Sequence, residues 1–220
     1  MRQIDRIFNS MVGKGRTESY TLYDYIESTG SQWLDLDYLM TDDTEFEGSF
    51  LFSDYDNSKS NNTVIGLNRP GRSNADRLIT DKSLQRIWYG FWRLSIYNKN
   101  VSLSKLSKIN VRGNATTAQI VVNASTYNVD AGIALPLFDS GGVMENSKLR
   151  LLSHSDNAPY DLHKVKILPF VCRKNGVTAS DYHPAVRGSD GVAGMLDMVN
   201  NVFHANANPA GDNFLYGNLT

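Results

Sequence analysis

The stretch Glu45-Phe46-Glu47-Gly48-Ser49-Phe50-Leu51-Phe52 decides how this chain is read, because apolar or small residues recur at every second position with polar ones between them. A period of two is the signature of a strand with one buried and one wetted face. Phe46, Gly48, Phe50 and Phe52 are expected in a core, and Glu45, Glu47 and Ser49 are expected to face away from it. Just upstream, Leu34, Leu36 and Tyr38 alternate with Asp35 and Asp37 in the same way.

On either side the pattern continues. Strands are expected over 63–67, 77–80, 85–89, 93–97, 107–112, 118–123, 148–153 and 164–172. The segments between them, 53–62, 68–76, 139–146 and 153–161, are rich in Asn, Ser, Asp and Gly, the residues that turns and loops favour. Many short strands with no long helical pattern predict an all-β fold, a two-sheet antiparallel sandwich spanning residues 20–220. The first dozen residues read differently. Ile4, Ile7, Phe8 and Met11 recur at helical spacing, so residues 1–19 are expected to form a short amphipathic helix and a Gly13-Lys14-Gly15 hinge. A helix this short is marginal in water, which predicts that those four residues dock on a neighbouring subunit.

Composition narrows the partners. The 220 residues carry 22 basic and 23 acidic side chains, too even a balance to attract nucleic acid or an anionic membrane. No stretch approaches the roughly 20 apolar residues that span a bilayer, and the N-terminus carries no apolar export signal. The single cysteine, Cys172, lies in an apolar run and is expected to be buried. His154, His163, His183 and His204 are scattered, so no metal site and no cofactor are expected. The Ser53–Ser58 loop has calcium-like oxygen spacing but lacks the glycine and distal glutamate of a helix-loop-helix site.

Two distant segments carry a family resemblance. Tyr25-Ile26-Glu27-Ser28-Thr29-Gly30-Ser31-Gln32-Trp33-Leu34-Asp35 resembles the opening "YIESTGTQYIDTG" of concanavalin A-like lectin and glucanase domains in phage and gut-bacterial structural proteins. The segment from Pro184 to Phe203 resembles their closing "PAVRKSDGVAGMYDLVNNVF". Trp33, Leu36 and Leu196 depart from the usual tyrosine, threonine and tyrosine. The resemblance implies a jelly-roll sandwich from about Tyr23 to Gly217, in a phage-associated virion protein present in host cytoplasm before lysis. Glycosidases sharing this sandwich set carboxylates on alternate residues of one strand. Asp35 and Asp37, and Glu45 and Glu47, have that spacing, but neither run has the third acid of Glu-x-Asp-x-Glu, and both read as solvated strand faces.

The expectation is therefore a protein with no catalytic residues, a capsid or tail decoration, fibre or adhesin. It would attach to other virion proteins, or to copies of itself, through Ile4, Ile7, Phe8 and Met11. Among the aromatics from Trp88 to Tyr97, Trp88 and Trp92, rimmed by Arg86 and Arg93, supply a stacking platform for bacterial-surface glycan. The alternatives are a structural virion component that binds no sugar, or a glycoside hydrolase.

Overall fold

The computed structural model describes residues 7–12, 16–41, 43–54, 62–68, 77–81, 86–91, 94–98, 108–114, 117–130, 148–153 and 164–219. Strands β1 to β9 run Ile7–Val12, Arg16–Leu22, Tyr25–Glu27, Leu34–Leu39, Thr44–Asp54, Asn62–Asn68, Arg77–Asp81, Arg86–Phe91 and Leu94–Asn98. Strands β10 to β18 run Lys108–Gly113, Thr117–Val122, Ser125–Asp130, Lys148–Leu151, Lys164–Lys174, Val177–Arg187, Ala193–Asp197, Val202–Ala205 and Leu215–Gly217. No helix occurs among the described residues.

The strands form two antiparallel sheets, as the alternation predicts. The larger runs β1-β2-β15-β14-β5-β10-β11-β12, with β16, β17, β3 and β18 attached at its side. The smaller runs β4-β13-β6-β7-β8-β9. Their inner faces meet in one core. Phe46, Phe50, Phe52, Ile109, Val111, Ile120, Phe170 and Tyr182 come from the larger sheet, and Leu34, Leu36, Val64, Ile65, Leu149 and Leu151 from the smaller. Gly48 takes an inner position of β5 because the Phe170 ring lies against its Cα, leaving no room for a Cβ. The fold is an all-β sandwich of two antiparallel sheets, as expected.

The opening segment singled out in the sequence bonds to the residues that follow the closing one. Strand β3 pairs with β18, the Gln32 side chain donates to the Asn213 carbonyl at 3.2 Å, and Ala207 N–H donates to the Trp33 carbonyl at 2.9 Å. Within the closing segment β16 and β17 form a hairpin whose turn ends on Asn201 at φ 58°, a left-handed conformation that asparagine tolerates. Pro184, which has no N–H to give, falls where β15 changes partner from β14, paired up to Tyr182, to β2, paired from Ala185.

The N-terminal helix is corrected. Ile7, Phe8 and Met11 lie on β1, which pairs with β2 from Ile7↔Thr21 to Val12↔Arg16; Ile4 and the residues 13–15 lie outside the described residues. Six residues are as compatible with a strand as with a helix, and a short helix has little stability of its own. The free edge of β2 offers a ladder of hydrogen bonds in its place.

Candidate active site

Strand β5 lies inside the larger sheet, between β14 and β10, so side chains on its outer face have neighbours on both sides. With Phe46, Gly48, Phe50 and Phe52 turned inward, Glu45, Glu47, Ser49 and Leu51 turn outward. Residues opposite one another in a ladder project to the same side. The registers therefore set Asp181, Val171, Glu47, Arg112, Gln119 and Asn128 in one row across β15, β14, β5, β10, β11 and β12.

One end of this row is a polar cleft of about 370 Å³ lined by Glu45, Arg112, Asn114, Thr117, Gln119 and Asn128, among others. Arg173 on β14 donates to Glu47 Oε2 at 3.2 Å and fixes that carboxylate from the side. Glu45 and Arg112 have no ion-pair partner among the described residues, although both line the cleft. The amide of Gln119 donates to Asn128 Oδ1 at 3.1 Å, and Asn114 Oδ1 accepts from Thr117 N–H at 2.9 Å. Ser49, two positions beyond Glu47, donates to Asn110 Oδ1 at 2.7 Å. The face thus presents two carboxylates on one strand and, across the cleft, a guanidinium and several amides. Such a set can exchange protons with a ligand and hydrogen-bond its hydroxyls.

The other alternating pair of acids, and the buried Asp197, are occupied. Asp35 on β4 takes a bidentate contact from Arg150, whose Nη2 reaches Asp35 Oδ2 at 3.1 Å, and Asp37 pairs with Lys148. Both bases come from β13, the strand beside β4. Asp197 is 2 % exposed, and burial pushes its carboxyl upward. Bonds from Asn200, Ser180 and the backbone N–H groups of Asp181 and Asn200 outweigh this and hold it below the ordinary carboxylate value. His183 Nε2 meets Asp181 Oδ1 at 3.1 Å. Cys172 is buried, as expected, and burial drives its thiol well above the ordinary value.

The proposed glycan platform is placed only in part. Arg86 and Trp88 lie on β8, with Trp88 between Ile79 of β7 and Tyr97 of β9; Trp92 and Arg93 lie outside the described residues. The calcium-like loop also lies outside them beyond Asp54. Arg112, Gln119 and Asn128 were not singled out from sequence. Their shared outward parity on adjoining strands was the available signal, and it becomes meaningful only once sheet order is known.

No family model matches the chain, and no curated protein matches it. Among solved structures it is similar to alginate lyase A1-II', a member of polysaccharide lyase family 7, at 10 % identity and a TM-score of 0.35, over 75 % of this chain and 74 % of that one. It is also similar to a double-cysteine variant of alginate lyase A1-II', at 12 % identity and a TM-score of 0.34, over 72 % and 71 % of the two chains. Both are named as alginate lyases. The expectation of a non-enzymatic virion protein is corrected accordingly and is withdrawn. At this level of likeness neither reaction nor substrate passes to this chain, whose chemistry is argued from its own residues.

Proposed function

We propose that this protein is a carbohydrate-degrading enzyme that hydrolyses glycosidic bonds with Glu45 and Glu47. The observation that carries the reading is the placement of both carboxylates on the outer face of β5, with Glu45 lining a cleft of hydrogen-bonding side chains and Glu47 directly opposite Arg112, which lines it too. Two residues along a strand are about 6.7 Å apart. Two glutamates on Cα atoms at that spacing can set their carboxyl groups roughly 6.5–9.5 Å apart, the separation an acid and a base need to hold a water between them. Glu47, fixed by Arg173, is assigned the role of base toward that water. Glu45, with no cation bonded to it among the described residues, is assigned the proton delivered to the leaving oxygen. Arg112, Gln119 and Asn128 would hold sugar hydroxyls across the cleft.

The test is release of reducing ends from a panel of polysaccharides by the full chain and by Glu45→Gln and Glu47→Gln. Loss of a general acid or base costs on the order of 10²–10⁴ in rate, and neither substitution on this wetted face should move Tm by more than a degree or two. A wild-type chain that cleaves nothing on the panel, or two variants that cleave at the wild-type rate, would overturn the proposal.

A further inference from the structure

A second cleft of about 370 Å³ opens between the edge strand β4 of the smaller sheet and β15 and β17 of the larger. Leu36, Tyr38, Leu39 and Val202 give it an apolar lining, and Tyr182 and His204 reach it from the core. The polar groups here are mostly committed. The Tyr182 hydroxyl donates to the Leu36 carbonyl, and Asp197 accepts from the N–H groups of Asp181, Val199 and Asn200 and from the Asn200 amide.

His204 is the exception. Its Nδ1 lies 2.9 Å from the Asp35 carbonyl oxygen. A carbonyl can only accept, so Nδ1 carries the proton and Nε2 holds a lone pair. Nε2 has no partner among the described residues, although His204 is only 7 % exposed. Burial holds the ring below its ordinary pKa and so favours the neutral form. The lining also includes Asp37 and Asp197 and neither lysine nor arginine; Lys148 neutralises Asp37, whereas Asp197 is bonded by neutral N–H groups and has no ion-pair partner among the described residues.

We propose that this cleft binds an organic ammonium ion on a compact apolar body, with His204 Nε2 accepting one of its N–H bonds. An acceptor nitrogen calls for a donor, the Asp197 carboxylate, which no cation neutralises among the described residues, calls for positive charge, and Leu36, Leu39 and Val202 call for hydrocarbon. A free sugar fits poorly, because most of its hydroxyls would face those apolar side chains without partners. The site therefore stands apart from the Glu45 and Glu47 cleft and does not depend on its reading.

Benzylammonium is a suitable probe, followed on the full chain by ¹⁵N resonances of labelled histidine near neutral pH. The expected result is a saturable shift of His204 Nε2. Leu39→Trp should weaken binding by at least about tenfold, because Leu39 is 48 % exposed at the mouth and its side chain makes no hydrogen bond. Benzyl alcohol, of nearly the same shape but uncharged, should bind more weakly by a similar factor. Absence of a saturable shift, binding unchanged by Leu39→Trp, or equal binding of benzyl alcohol would each overturn the proposal.

Discussion

The Tyr182 hydroxyl donates to the Leu36 main-chain carbonyl at 3.0 Å, joining β15 of one sheet to β4 of the other through the core. The partner is informative. The ladder between β4 and β13 shifts register between Lys148 and Arg150, and Asp37, next to Leu36, takes φ 52°. The tyrosine thus supplies a donor beside a break in the sheet's own hydrogen bonding, and burial pushes its ionisation far above the ordinary range, so it remains a donor.

Tyr182→Phe keeps the ring and its contacts with Phe170 and His204 while removing that donor. Leaving a buried acceptor unpaired costs about 1–3 kcal/mol. Equilibrium denaturation should show this loss as a lower midpoint with an unchanged slope. A loss of only a few tenths would mean that water serves the Leu36 carbonyl equally well.

Arg173→Met isolates the support given to Glu47. A partly exposed ion pair contributes only about 0.2–1 kcal/mol to stability, so the fold should survive almost unchanged. On the hydrolase reading, an unsupported Glu47 loses its alignment in the transition state more than it loses sugar, so kcat should fall by about tenfold or more with KM nearly constant. Arg173→Lys should recover part of the rate. Equal rates for wild type and Arg173→Met would remove Arg173 from the catalytic arrangement.

Much of the sandwich is legible in the sequence because its burial pattern is local. Leu34 and Leu36 face inward and Glu45 and Glu47 outward, as alternation alone requires. What alternation cannot supply is which strands lie side by side. Asp35 and Asp37 have the same spacing as Glu45 and Glu47, yet Arg150 and Lys148, more than a hundred residues away, neutralise the first pair. The cleft beside Glu45 is likewise assembled from β10, β11 and β12. At the N-terminus the error had another source. Ile7, Phe8 and Met11 fit a helical stripe, but over six residues that stripe is indistinguishable from a strand until β2 is present as a partner.

The pH dependence of stability should fall in two steps, each traceable to one buried group. For His204, burial is the leading cause of a folded pKa below the ordinary 6.5, with the Asp35 carbonyl opposing it. Between those two values the unfolded chain binds a proton that the folded chain refuses, so stability rises with pH. The contribution is complete above about 6.5 and is lost as pH falls toward the folded value. For Asp197, hydrogen bonds from Asn200, Ser180 and backbone N–H groups overcome burial and hold the folded pKa below 3.8. Its contribution is complete above that value and disappears as pH falls through the folded pKa. His204→Asn, which can still offer an N–H to the Asp35 carbonyl, should flatten the step below neutrality and leave the acid step in place. Asp197→Asn should do the reverse. Denaturation midpoints measured from pH 7.5 to 3 in both variants would decide the matter. A His204→Asn protein that keeps the full decline between pH 7 and 5 would remove His204 as its source.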